Sequence, residues 1–239
     1  MIELHNYILT SKDMQAKTKR VAAAGLVTSV VLLSLQIGTA FAASTVSLSQ
    51  TISDGVQSVD FVDASGGSVA SPGVSFGAMT FDFDYQTANG TLGTEAQKIR
   101  IANPTSDSTW SVVVAATGGP TSTWSDGLHL YDYNDSYTDG GDDTDSDSVG
   151  GRLSINPSVA TMVGLPDEST CSATTGITKG SSSSFQEIGG VVNSITLVTG
   201  GASATPYCAW DMTGIDVSQV IPARQDAGTY GMGFTITLS

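Results

Sequence analysis

The clearest pattern in the chain is an alternation of apolar residues with Gly and Thr near its end. The apolar positions are Tyr230, Met232, Phe234, Ile236 and Leu238. A period of two residues predicts a β-strand that buries one face. Residues 221–228 precede it and contain Pro222 and Gly228, so they are expected to form a turn. The chain is therefore expected to end by adding a strand to a sheet.

The same alternation recurs upstream, whereas no long stretch has the 3.6-residue period of a helix. Strands or short apolar segments are predicted at 46–52, 76–85, 98–102, 109–116, 159–163 and 191–198. Turns are expected at Asn89-Gly90 and 103–107, and a flexible link at 181–184. These elements predict an all-β fold, an antiparallel β-sandwich of about eight to ten strands.

The first 42 residues have the composition of a secretory signal peptide. Four basic residues precede an apolar run at 21–41, which ends in small residues at Ala40 and Ala42. We expect cleavage after Ala42, leaving 43–239 as a single β-sandwich domain with no membrane segment. The alternative is an uncleaved anchor, since the run is long enough to span a bilayer.

Charge excludes one class of partner. The chain without residues 1–42 has five Lys and Arg against 21 Asp and Glu, a net charge of −16. A protein that binds nucleic acid needs basic side chains to displace counterions from phosphates, so nucleic acid is not expected as a partner. Strong acidity instead suits a secreted protein, because repulsion between like charges keeps such a protein soluble.

Two cysteines are present, Cys171 and Cys208. In an exported protein an even pair predicts a disulfide. The alternative is a pair of free thiols.

Residues 132–147 form an Asp-rich loop with seven carboxylates in sixteen residues and no Lys or Arg. Calcium binds six to eight oxygen ligands from flexible backbone, so we expect weak calcium binding here. Asp143, Asp145 and Asp147 match the first ligand positions of an EF-hand loop, but Ser154 stands where that loop needs Glu. Asp135 and Asp139 are further candidate ligands. The alternative is a solvated acidic loop without metal.

The sequence carries no recognisable catalytic arrangement, so no enzyme activity is expected. His129 is the only histidine after residue 42, and a structural role is expected for it. Asp82 and Asp84 are predicted to project from one strand face at a distance compatible with paired glycosidase carboxylates, but they are expected to aid solubility. Among the aromatic residues, Trp110 is expected in the core, whereas Trp124 and Tyr133 are expected to contact ligands such as sugars.

Two motifs resemble those of WxL domains, which are cell-surface modules of Gram-positive bacteria. Tyr230 followed by residues 234–238 is similar to the terminal motif of that family, with Ile236 where the family has Trp. Trp110-Ser111-Val112 is similar to the first motif, with Val112 in place of Leu. The resemblance implies a β-sandwich that attaches non-covalently to cell-wall peptidoglycan, with Trp110 and Tyr230 as wall-contact candidates.

Three hypotheses for function follow. The first is a non-enzymatic secreted protein that attaches to the cell wall or to other surface proteins and that calcium stabilises. The second is a subunit of an extracellular filament or surface layer, in which residues 43–53 of one copy pair with a sheet edge of the next. The third is a secreted carbohydrate-active protein.

Overall fold

The computed structural model describes residues 49–135, 150–165, 171–187 and 189–239. The chain divides into two compact units, Met1–Thr51 and Ile52–Ser239, and the strands of the described residues all lie in the second. The strands are β1 (Ser58–Val62), β2 (Gln86–Leu92), β3 (Lys98–Asn103), β4 (Trp110–Ala116), β5 (Thr123–Ser125), β6 (Leu130–Asp132), β7 (Arg152–Asn156), β8 (Thr161–Gly164), β9 (Ile177–Lys179), β10 (Ser183–Ser184), β11 (Ser194–Gly200), β12 (Cys208–Thr213), β13 (Ile215–Ile221) and β14 (Phe234–Leu238). A short 3-10 helix, Pro157–Val159, precedes β8.

The described strands form three antiparallel sheets of four strands and one hairpin. The first sheet has the order β1-β3-β12-β8, the second β10-β7-β13-β2 and the third β14-β4-β11-β9, while β5 pairs with β6. The all-β, sandwich-like fold class is confirmed. The count of about eight to ten strands was too low, because several of the fourteen strands have only two to four residues and leave little alternation in the sequence.

Two pairs of consecutive strands bend from the first sheet into the second. β3 pairs with β12, and their neighbours in the chain, β2 and β13, pair in the second sheet. At the bend, Gly93 and Gly214 have φ of 76° and 75°, and the Gly214 N–H donates to the Gly93 carbonyl at 2.7 Å. Glycine adopts this left-handed region without a steric penalty, so the two glycines let both strands turn together.

One hydrophobic core joins the three sheets. β4 buries every second residue from Trp110 to Ala116, as its alternation predicts. These side chains pack with buried residues of the first sheet, such as Ile101 and Trp210, and of the second, such as Leu153. The pattern at 109–116 therefore predicted both the strand and its buried face.

A disulfide joins Cys171 to Cys208, with their Cα atoms 5.6 Å apart. Cys208 begins β12, and Cys171 lies 37 residues earlier in the chain. The predicted pairing is confirmed. Closing a loop of this length restricts the unfolded chain and stabilises the fold by about 4 kcal/mol in the chain-entropy treatment.

The prediction of a strand at 76–85 was wrong. These residues lie outside the strands, with Phe81 50% and Phe83 69% exposed. The Asp82 carboxylate accepts hydrogen bonds from the N–H groups of Phe83, at 2.7 Å, and Asp84, at 3.2 Å. This local turn uses backbone donors that a strand would pair with a neighbour, so it competes with the ladder.

Other local predictions also failed. Asn89-Gly90 is no turn but lies within β2, and a Cβ on Gly90 would collide with Val74, so this glycine allows close packing. Ser183 and Ser184 pair with β7 and do not form a free link. Residues 49–52 lie outside the strands, while Val46 and Leu48 fall outside the described residues.

Candidate functional site

A cleft of about 400 Å³ opens between residues 76–88 and the turn that leads from β13 to Tyr230. Residues 76–88 form one wall, residues 221–230 form the other, and β5 and β6 supply the floor. A backbone hydrogen bond of 2.8 Å from Arg224 N–H to the Asp82 carbonyl joins the walls. The turn predicted from Pro222 and Gly228 is therefore one side of a concave site.

The floor of the cleft is aromatic. The rings of Trp124 and Tyr131 stack with centroids 6.0 Å apart, and Tyr230 packs on Tyr131 at 5.0 Å. Phe76 meets Trp124 edge-on at 5.5 Å. Burial raises the pKa of the Tyr131 phenol above its ordinary value, with the nearby Tyr230 contributing. Tyr131 therefore keeps its proton at neutral pH.

Gln219 fixes the orientation of Trp124. Its side chain is buried, and its Oε1 accepts a hydrogen bond of 2.9 Å from Trp124 Nε1. Its Nε2 donates to the carbonyls of Asp132 at 3.0 Å and Val220 at 2.8 Å. A buried amide with all these partners holds the indole ring in one position.

The rim of the cleft combines exposed apolar and polar groups. Met79 is 45% exposed, and the half-exposed ring of Phe81 meets Phe83 edge-on at 5.3 Å. On the opposite wall, Gln225 Nε2 donates to Tyr230 Oη at 2.7 Å, and that hydroxyl donates to the Asp226 carbonyl at 2.8 Å. A ligand can therefore meet apolar rings and hydrogen-bonding groups together.

The charge of the cleft is negative. Of the described residues that line it, three are aspartates, Asp82, Asp84 and Asp226, and none is Lys or Arg. An anionic ligand would be repelled here at neutral pH. The chemistry favours a neutral or positively charged ligand with apolar faces.

A histidine links the β5–β6 hairpin below the cleft to the turn at Asp226. His129 Nδ1 lies 3.1 Å from Asp126 and its Nε2 lies 3.3 Å from Asp226. The hydrogen bond to Asp126 raises the pKa of His129. Backbone N–H groups of His129 and Leu128 lower the pKa of Asp126 to about 2. His129 therefore has a structural role, because its ring contacts both the hairpin and the turn.

The structure divides the two wall-contact candidates. Tyr230 is half-buried and lines the cleft. Trp110 is buried against Trp210, with ring centroids 5.3 Å apart, and offers no surface to a partner. Trp110 is therefore a core residue in this fold.

Trp124 and Tyr133 were expected to be accessible because polar residues surround them in the sequence, and this was wrong for both. Trp124 is 8% exposed, with one edge in the cleft. Tyr133 is fully buried against Phe185 and Phe234. Their polar neighbours form turns and short strands, and the two rings themselves pack into the hydrophobic core.

The Asp-rich loop is described only at its beginning. Asp135 is buried, whereas Asp139, Asp143, Asp145 and Asp147 lie outside the described residues. Within the described ranges, no group of three or more His, Cys, Asp or Glu side chains could hold a metal ion. Calcium binding by the loop stays a prediction.

Most of the cleft was not predicted from the sequence. Phe81 fell within the strand predicted at 76–85, and no role was expected for Gln219 or Gln225. A signal was present in residues 72–84, where Pro72, Gly73 and Gly77 precede Asp82 and Asp84, residue types more typical of a loop than of a strand.

Comparison of the chain with protein-family models, with curated proteins and with solved structures gives no match. In the part of the chain that the structure describes, no helix has the length and apolar character needed to cross a membrane. The disulfide is typical of proteins that fold in an oxidising compartment.

Proposed function

We propose that this protein is a non-enzymatic, exported cell-surface protein that attaches non-covalently to the cell wall by binding wall glycan in the cleft. One observation carries the proposal. Tyr230, which begins the motif that resembles WxL domains, lines a concave site with an aromatic floor and a polar rim.

The chemistry of the cleft supports a sugar as ligand. Apolar faces of sugar rings pack on aromatic side chains such as Tyr230 and Phe81, while hydroxyls accept and donate hydrogen bonds at the rim. The carboxylates of Asp82 and Asp84 and the amide of Gln225 supply such partners. The negative charge of the two carboxylates favours the peptidoglycan backbone over phosphate-rich wall polymers, which the cleft would repel.

Export accounts for the remaining features of the chain. Residues 1–42 would be removed as a signal peptide, and the Cys171–Cys208 disulfide would form outside the cytoplasm. The Asp-rich loop would bind calcium weakly and so reduce the repulsion among its carboxylates.

Co-sedimentation with purified cell walls tests this function. The exported protein is expected to pellet with walls, and Phe81→Ala and Tyr230→Ala to pellet less. Leu128→Ala is a matched control, since Leu128 is 88% exposed and lies outside the cleft lining. Equal pelleting of all four proteins would show that the cleft does not bind the wall. Release of soluble sugars from the walls would contradict a non-enzymatic role.

A further inference from the structure

The outer edge of β14 carries backbone groups without partners in the described structure. β14 pairs with β4, in a register that sets Thr235 opposite Ala115 and Thr237 opposite Val113. Hydrogen bonds from Thr117 N–H to Gly233 O and between Ser111 and Ser239 continue this ladder. Bonding alternates along an antiparallel strand, so the N–H and C=O groups of Phe234, Ile236 and Leu238 point away from β4.

An apolar groove of about 350 Å³ runs beside this edge. Its lining includes Phe61 of β1, Leu92 of β2, and Phe234 and Ile236 of β14. A strand added to β14 would bond to the outward backbone groups and direct alternate side chains into the groove. Backbone bonding together with side-chain pockets is the general basis of strand addition.

The sequence of β14 carries none of the usual devices against pairing. Exposed edge strands are commonly blocked by charged residues, proline or a bulge. β14 has the sequence Phe-Thr-Ile-Thr-Leu and pairs with β4 in a continuous register. Nothing in this strand discourages another strand from joining it.

The chain itself contains a segment of matching chemistry, residues 43–53, which we name the arm. The arm has no charged residue and places Val46, Leu48, Gln50 and Ile52 at alternate positions. In its described part, residues 49–52 lie outside the strands, and Ile52 is 87% exposed. β-branched residues such as Ile52 are enriched in strands, so the arm has the composition of a strand.

The body of the protein holds the chain just after the arm. Gly55 N–H donates to the Pro104 carbonyl at 2.9 Å, and Asp54 accepts hydrogen bonds from Ser106 and Tyr207. An extended arm of eleven residues spans about 35 Å, whereas a five-residue strand such as β14 spans about 17 Å. The arm is therefore long enough to cover β14 on a neighbouring molecule.

We propose that the arm of one copy adds as a strand to the outer edge of β14 in a second copy, with Val46, Leu48 and Ile52 facing the groove. Donor and acceptor surfaces differ, so the contact is head-to-tail, a geometry that forms open filaments unless the rotation between copies closes a ring. The proposal rests on removal of residues 1–42, which is part of the proposed function, but not on wall binding.

Assembly of the exported protein without walls tests the proposal. Sedimentation velocity and negative-stain imaging at increasing concentration are expected to show chains of molecules. Val46→Asp with Leu48→Asp is expected to leave a folded monomer, because charges cannot enter the groove. Ser47→Asp with Ser49→Asp adds the same charge on the opposite face and is expected to assemble. A native protein that stays monomeric, or equal assembly by both variants, would overturn the proposal.

A complementation experiment identifies the acceptor edge. Ile236→Pro removes an outward N–H without removing a bond to β4, so this variant can donate an arm but not accept one. Mixed with the Val46→Asp/Leu48→Asp variant, it is expected to give heterodimers and no longer species. A thermal melt checks that it folds, and a synthetic peptide of residues 44–53 supplies a second readout by binding the arm variant. No heterodimer and no peptide binding would overturn the proposal.

Wall binding by the monomeric arm variant separates the two proposals. Retained wall binding with lost assembly supports both. If the native protein assembles but neither it nor the arm variant binds walls, the proposed function is overturned and strand addition stays supported.

Discussion

At the scale of single residues, the buried Gln219 side chain makes three hydrogen bonds below the cleft. Gln219→Leu removes the hydrogen bond that Trp124 Nε1 donates and the two that the carbonyls of Asp132 and Val220 accept. Each buried group left unsatisfied costs about 1 to 3 kcal/mol, so we expect the free energy of unfolding to fall by roughly 2 to 4 kcal/mol in denaturant titration.

The double variant Gln219→Leu/Trp124→Phe is the control for that experiment. It removes the indole donor together with its acceptor. Its loss in free energy of unfolding should therefore be smaller than the sum of the losses of the two single variants. Additive losses would show that the hydrogen bond does not contribute to stability.

His129 makes a pH-dependent contribution to stability. Its pKa is raised in the fold, mainly by the hydrogen bond to Asp126, so its stabilising effect is fully present below the unfolded value of about 6.5. The effect is lost as pH rises through the folded pKa. The melting temperature of the native protein relative to His129→Gln should therefore decline as the pH rises above about 6.5. An NMR titration that places the pKa of His129 below 6.5 would contradict this prediction.

At the scale of elements, β14 anchors the third sheet to the aromatic core. Phe234 is half-buried, in ring contact with Tyr133 at 5.8 Å and Phe185 at 5.6 Å. Phe234→Ala should cost roughly 2 kcal/mol, less than the 3 to 5 of a fully buried phenylalanine. Thr235→Ala on the exposed face of the same strand is the control. Equal losses for both, measured by denaturant titration, would mean that Phe234 makes no core contribution.

Elements with strict alternation and a hydrophobic face were predictable from the sequence. β4 and β14 are such elements, because every second residue faces the same core. Residues 76–85 have the same alternation, but the Asp82 side chain bonds to its own backbone and keeps the segment out of a sheet. The cleft was therefore hidden from the sequence, since it depends on this irregular wall and on long-range bonds such as Arg224 to Asp82.

At the scale of the whole molecule, we predict that calcium binding by the Asp-rich loop stabilises the fold. Seven carboxylates within sixteen residues repel one another unless a cation binds or solvent screens them. A free calcium concentration of 100 times the dissociation constant would stabilise the folded state by about 2.7 kcal/mol. The melting temperature should rise with millimolar calcium, and much less with magnesium or with sodium at matched ionic strength. An unchanged calcium-dependent rise in the Asp143→Asn/Asp145→Asn/Asp147→Asn variant would show that these three residues are not the ligands.

The two proposed surfaces would have different partners. The cleft, lined by Tyr230, would hold the wall, and the edge of β14, which begins four residues later, would hold the next molecule. Both surfaces use the end of the chain.

Calorimetric titration of the monomeric arm variant with soluble, uncharged peptidoglycan fragments tests wall attachment through the cleft most directly. We predict saturable one-to-one binding that Tyr230→Ala weakens at least about tenfold, a loss of roughly 1.4 kcal/mol in binding free energy. Leu128→Ala should bind as the parent does. No binding by the parent, or equal binding by the Tyr230 variant, would contradict the account.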